Sequence, residues 1–397
     1  MADKPAPVTA MKEHLCAVFD FAQHQVDRLV QNHPDYFPMY TVGGKWKHAG
    51  ETWTNWCEGF LPGMMWIFYE RTGERFWRER AEHYSRLVEP RKHDRSVHDL
   101  GFLFYHGTYR RWYDATVRDG RPDEALRDVV VHAGRTLATR FREKGAYLCS
   151  FIGPQSCFID IMMNVPIIWY AADAVGDAAL LNVASRHCET TRRYLVRGDG
   201  STAHEGIFNT DTGEFLRQST QQGYRGDSCW SRGLAWALYG FATCARLSDE
   251  MVWADTALRC SAYLSQHLVG DLVPPWDFDA PPEEPILKDS SAGAIASAGL
   301  FELADAMDRS GPAAADSARN LRIFAMMLLG ALCNDAYLPA GDPDWEGILR
   351  HGVYHIHKKL GVDESVMWGD FFFCDALHRA LTLFDQGFDP TKPKVKA

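Results

Sequence analysis

The chain has 397 residues, 46 % of them hydrophobic and 24 % charged, which suits a large packed core and excludes a disordered chain. A net charge of −10 argues against nucleic-acid binding, which needs a basic face, but leaves room for a locally basic pocket around an acidic small substrate. There is no run of about 18 uncharged apolar residues, no apolar signal-peptide core in MADKPAPVTAMKEHL and no CxxC among the 10 Cys, so no membrane association, buried reduced thiols and a cytoplasmic location are expected.

In chain order, apolar residues recur at steps of three and four over 8–32, 57–71, 74–89, 98–113, 122–142 and 159–176. The pattern continues over 178–197, 228–246, 250–269, 290–308, 313–335 and 368–385. These twelve predicted helices are of two kinds. GFLPGMMWIFY, DLGFLFYHGTY, IDIMMNVPIIWYAADA, WSRGLAWALYGFATCA, AGAIASAGLFELADA and WGDFFFCDALHRALTLF are apolar on nearly every side. The helices between them are amphipathic, for example PDEALRDVVVHAGRTLATRFREK. A helix apolar all round is buried, and an amphipathic one keeps a solvent face. Six of each in alternation predict an all-α fold, an (α/α)6 barrel of inner and outer helices, with 8–32 closing the outer ring. One barrel domain over 1–397 is expected, with short flexible termini at about 1–8 and 387–397. An open α-solenoid is the alternative, but its repeat is usually tighter.

Polar segments at 34–55, 198–227, 270–289 and 336–366 are long enough to be functional loops, expected at one mouth. Within STAHEGIFNTDTGEF, the DTG reads as a hairpin turn.

Polar residues open several of the apolar helices. They are His98 and Asp99, Asp160 ahead of Asn164, Asp227 and Arg232, Asp289, and Asp370. If the inner helices run parallel, these residues converge at one end, beside Trp230, Trp236 and Trp368. An Asp at a helix start is commonly an N-cap, and Asp289 and Asp227, each followed by Ser, fit that role. Asp160 does not, because Phe158, Ile159, Ile161, Met162 and Met163 enclose it. A carboxylate there is costly unless paired or protonated, which makes it a functional candidate. The 13 Trp, 15 Tyr and 22 Phe belong mostly to the core, with a weak pointer to sugar stacking. His355 and His357 alternate as in a strand with no third ligand nearby, so no metal is expected. The absence of GxGxxG, GxxxxGK[ST] and GxSxG gives no sign of a nucleotide or flavin cofactor.

At these residues the sequence resembles the unsaturated glucuronyl hydrolases, glycoside hydrolase family 88. The carrying stretches are SVHDLGFLFYHG, SCFIDIMMNVPIIWYA, QQGYRGDSCWSRGLAWALYGF, DSSAGAIASAGLFEL, and HGVYH followed by ESVMWGDFFF, in family order over about 50–385. The resemblance implies an (α/α)6 barrel with no metal or organic cofactor. The implied substrates are oligosaccharides ending in a 4,5-unsaturated uronic acid, released by hydration of the C4=C5 bond. By the same resemblance Asp160 is the general acid/base, and Asp99 is the second essential carboxylate, holding sugar hydroxyls. His204, Gln222 and Arg232 surround the unsaturated ring, with His98 beside Asp99. Trp230, Trp236 and Trp56 form the aromatic lining, with Trp53 as a substitute for Trp56. Two departures stand out: Leu61 where the family often has Trp, and Arg225 in QGYRGDS, facing either a further anion or solvent. An unsaturated rhamnogalacturonyl hydrolase acting on pectin fragments and a sugar 2-epimerase on the same barrel are the rival readings. The chain is expected to act as a monomer or homodimer.

Overall fold

The computed structural model describes residues 7–47, 55–281 and 286–392. Its helices in chain order are α1 (Pro7–Asn32), α2 (Phe60–Thr72), α3 (Arg75–Val88), α4 (Tyr109–Arg118), α5 (Glu124–Ala138), α6 (Ile161–Asn164) and α7 (Pro166–Val175). They continue with α8 (Ala178–Tyr194), α9 (Ser231–Ser248), α10 (Met251–His267), α11 (Ser290–Arg309), α12 (Ala315–Leu332) and α13 (Met367–Asp385). A π-helical segment, Gly101–Gly107, leads into α4.

The expected alternation is present. The π segment with α4 forms one inner stave, and α6 with α7 forms another. With α2, α9, α11 and α13 these pack neighbour to neighbour, and α13 returns to α2 to close the ring. Helices α1, α3, α5, α8, α10 and α12 lie outside. This is the (α/α)6 barrel. Phe60, Trp66, Trp236 and Trp368 are buried in its core, each worth on the order of 1.5–3 kcal/mol or more relative to exposure.

Two inner helices are less regular than periodicity alone predicts. The 98–113 helix opens as π-helix, where Thr108 N–H reaches Leu103 O, five residues back, at 3.0 Å. The 159–176 helix breaks after Asn164, because Pro166 has no N–H to donate. Glycine sets the spacing around both. A Cβ on Gly101 would sit 2.4 Å from Asn164 Cα, and one on Gly240 would sit 2.3 Å from Met162 O. Only glycine lets these neighbouring staves approach so closely on either side of the Asp160 segment.

The polar segments carry short antiparallel pairings. Ser156–Phe158, Glu205–Phe208 and Phe215–Ser219 form a three-stranded sheet, and the DTG turn joins the last two strands as expected. Gly352–His355 pairs with Leu360–Glu364. Asp370 in α13 accepts the N–H groups of Ile348 and Leu349, each at 2.9 Å, fixing the approach to that hairpin. All 10 cysteines are free, and all but Cys16 are buried. Among the described residues no helix is long and apolar enough to cross a membrane.

Candidate active site

The inner helices deliver their N-terminal ends to one pocket. Its wall includes Trp56 before α2, His98 and Asp99 before the π segment, Asp160 before α6, and Arg232 in the first turn of α9. Gln222 comes from the 198–227 segment. The convergence expected from parallel inner helices therefore brings together Asp99, Asp160, His98, Arg232, Gln222 and Trp56.

Asp160 sits at the first boundary of α6 with helical dihedrals, φ −57° and ψ −27°, and its side chain caps nothing. Its placement comes from the backbone around it. Ile159 N–H donates to His204 O at 2.9 Å. Asn164 then ties the two acidic segments together: its Oδ1 accepts Phe102 N–H at 2.9 Å, and its Nδ2 donates to Asp160 O at 3.2 Å. One buried amide thus sets the Asp99 stave against the Asp160 stave.

Both acids are held up in pKa. Burial raises Asp99 to about 8, helped by the charge of Asp160. Burial raises Asp160 to about 7, opposed by Arg232. Desolvation therefore outweighs the pull of the helix N-terminus and of Arg232. The pair holds at least one proton near neutrality, which suits an acid that must both give and take one.

Arg232 is 1 % exposed and lies over the rings of Trp230 and Trp368, 4.3 and 5.1 Å from their centroids. Its guanidinium donates to Val353 O, to Tyr354 O at 2.9 Å and to Gln222 Oε1, with Asp289 Oδ2 at 3.4 Å. The fork is thus fixed and its charge is only partly offset. Asp289 is the α11 cap expected of it, accepting Ser291 N–H at 3.1 Å.

Several of the residues expected at the site lie away from the pocket surface. Trp230 is behind the wall, against the ring of His204 and the guanidinium of Arg232. Trp236 is deeper still, packed on Phe102 and Phe372 in the barrel core. Neither lines the pocket. The cause is position within the helix: Trp56 precedes α2 and faces the cavity, whereas Trp236 is in the second turn of α9, below its floor. His204 is also behind the wall, its Nε2 3.6 Å from Asp160 Oδ2. Trp368, likewise expected in the lining, is buried under Trp56, ring centroids 4.8 Å apart. Asp227 caps no helix and pairs in solvent with Arg225 at 3.0 Å, which settles Arg225 as solvent-facing. Trp53 lies outside the described residues. Leu61 is buried in α2.

The pocket wall also contains Phe151, Ile152, Phe158, Gln221, Tyr354 and His355. Phe151 and Ile152 lie on a turn between short strands with no periodic pattern, so the sequence carries no signal for them. His355 stands out in YHIHKK, but its companion His357 instead bonds Gly223 O at 2.8 Å.

Comparison with known proteins agrees with this architecture. A crystal structure of an unsaturated glucuronyl hydrolase from Bacillus sp. GL1, described as responsible for the degradation of glycosaminoglycan, superposes with a TM-score of 0.83. It is 30 % identical and matches 94 % of this chain and 97 % of that one. The curated unsaturated glucuronyl hydrolase of Bacillus sp. (strain GL1) is 32 % identical over 356 residues, 87 % of this chain and 91 % of the relative. An unsaturated chondroitin disaccharide hydrolase of Streptococcus pneumoniae is 29 % identical, over 82 % of each chain. The barrel with its paired acids is thus that of a glycosidase. The chain belongs to Glycosyl Hydrolase Family 88, whose sequence model matches residues 25–301.

Proposed function

We propose that this barrel releases the non-reducing-end 4,5-unsaturated uronic acid from lyase-generated oligosaccharides by hydrating the C4=C5 bond. The observation that carries this reading is the pairing of a buried acid, Asp99, with a largely shielded one, Asp160, both of raised pKa, in one pocket with a single clamped arginine.

The C4=C5 bond is part of an enol ether through the ring oxygen. Asp160, protonated, gives its proton to C4, and oxocarbenium character develops at C5. Water adds at C5 while the Asp160 carboxylate takes the proton it loses. The hemiketal then opens and releases the next sugar. This differs from the two-carboxylate mechanisms that act at the anomeric carbon. Asp99 holds the sugar hydroxyls, Arg232 and Gln222 meet the uronate carboxylate, and Trp56 offers its ring to the sugar face. Every proton in these steps is supplied by side chains and water.

Glycosaminoglycan fragments are the favoured substrate class, in line with what the relatives' names say of those proteins. The chain acts as one barrel domain, as a monomer or homodimer. A cytoplasmic location fits its ten free cysteines. The test is incubation with lyase-generated unsaturated disaccharides while following the absorbance of the conjugated double bond. Loss of absorbance on glycosaminoglycan fragments is expected. Loss on pectin fragments alone would favour the rhamnogalacturonyl reading. No loss across chondroitin, hyaluronan, heparin, gellan and pectin fragments would overturn the proposal.

A further inference from the structure

Two histidines stand in matching positions against the two acids, His98 in the pocket wall and His204 behind it. His98 Nδ1 lies 3.1 Å from the backbone N–H nitrogen of Phe151, and His98 Nε2 lies 3.4 Å from Asp99 Oδ1. His204 Nδ1 lies 3.1 and 3.3 Å from the N–H nitrogens of Gln221 and Gln222, and His204 Nε2 lies 3.6 Å from Asp160 Oδ2. A backbone N–H only donates, so each Nδ1 must be the unprotonated acceptor. A ring that accepts at Nδ1 and remains neutral carries its hydrogen on Nε2. Both rings are buried, at 2 % exposure. Around His98 are Asp99 and the rings of Phe151 and Phe158. Around His204 are Asp160, Thr220 and the rings of Phe158 and Trp230.

We propose that His98 and His204 are a matched pair of neutral positioning residues. Each takes a backbone N–H of a pocket-lining segment on Nδ1 and turns Nε2–H toward one oxygen of a catalytic carboxyl. The assignment fixes which oxygen of Asp160 reacts. Oδ2 is the buried oxygen, with no hydrogen bond within normal range, and it faces the His204 N–H. An oxygen that accepts there does not carry the acid proton, so the proton given to C4 rides on Oδ1. The histidines therefore do not serve as cations offsetting the substrate's charge, and that task falls to Arg232. Burial holds both rings neutral, His98 well below its usual value and His204 at about 3. The arrangement also links Phe151, Gln221 and Gln222, through the two histidines, to the two acids that share the pocket wall with them. A sugar seated against those segments thereby orients the carboxyls.

This inference rests on the proposed hydrolase reading only for its kinetic test. The direct test needs no substrate. Long-range 1H–15N spectra of the full-length protein, labelled at histidine, are recorded between pH 5.5 and 8.5. Difference spectra against H98Q and H204Q assign the two rings. Both should show a protonated Nε2 and a bare Nδ1 at every pH. A protonated Nδ1 on either ring, or an imidazolium titrating in that range, would overturn the proposal even if the enzyme is active. Kinetics supply the second arm. His204→Ala should lower kcat by about 10²-fold with KM changed little, as a mispositioned group does. His204→Gln, whose amide places a donor near Nε2, should recover much of that loss. A raised KM with unchanged kcat would instead mark His204 as a ground-state binding residue and overturn the positioning role.

Discussion

Asp99 and Asp160 are both near-buried acids at the mouth of the barrel, yet their surroundings separate them. Burial raises Asp160 to about 7 against the pull of Arg232, whereas burial and the charge of Asp160 raise Asp99 to about 8. The proposed proton donor is Asp160, whose pKa near the operating pH suits an acid that both gives and takes a proton. Asp160→Asn is predicted to cut kcat by about 10²–10⁴-fold, the range for general acid catalysis, while KM stays within a few-fold. Steady-state kinetics on an unsaturated disaccharide measure this, and near-normal turnover would remove Asp160 from the role. The pH dependence follows from the same protonation. The donor form is present below the folded pKa and is lost as pH rises through about 7, so kcat should fall on the alkaline side. The special status of Asp160 was legible because five apolar neighbours in sequence enclose it. That Trp236 and Trp230 lie behind the wall was not legible. Composition and motif mark a tryptophan, but its depth along the helix, as for Trp236, and the direction its side chain takes at the helix start, as for Trp230, decide whether it faces the cavity or the core.

At the scale of elements, the site depends on how closely two inner staves approach. Asn164 bridges them by its side-chain amide, and Gly101 allows the contact. Gly101→Ala should force the staves apart. Overpacking of this kind costs about 1–3 kcal/mol, and activity should fall because Asp99 and Asp160 move relative to each other. Denaturant melts and kcat together check this, and an unchanged midpoint would show that the staves yield freely. At the other ends of the same helices an ion network replaces the pocket. Glu302 accepts from Arg246 and pairs with Arg379 at 2.9 Å, and Asp375 pairs with Arg111 at 2.8 Å and Arg379 at 3.0 Å. Arg246 and Arg379, with burial opposing, hold Glu302 down to about 2. Its contribution to stability is present above the unfolded carboxylate range and is lost as pH falls from about 4.5 toward 2. Glu302→Ala leaves the two arginines without this partner and should cost about 3–5 kcal/mol, read from urea melts at pH 7. The helix positions and the hairpin at DTG were legible from period and turn residues. The π segment and the break at Pro166 were only partly so. Proline announces a break, but the close packing that favours a π turn beside Asn164 is a tertiary effect.

For the whole molecule, the alternation of apolar and amphipathic helices favours the barrel over an open solenoid, because a helix apolar all round must be buried on every side. The closure of the ring brings six helix starts to one mouth, and that places the acids together. The cost of the arrangement appears in stability. The folded chain keeps protons on Asp99 and Asp160 that the unfolded chain releases above about pH 4. Between that value and about 7–8 the folded state binds more protons, so stability falls as pH rises, by about 1.4 kcal/mol per unit for each group at most. The double variant D99N/D160N should lose that slope and melt higher than the parent at pH 8, a comparison made by calorimetry across pH 5–8. A parent whose midpoint does not fall over that range would deny the raised pKa values.

The proposed reaction attacks the C4=C5 bond, with Asp160 as the proton source. Turnover in D2O, followed by NMR of the released uronic acid, tests it most directly. The prediction is one deuterium added to a single face of C4, with the vinyl H4 signal gone, and no such product from D160N. A released sugar that keeps its C4=C5 bond would show ordinary cleavage at the anomeric carbon and contradict the account.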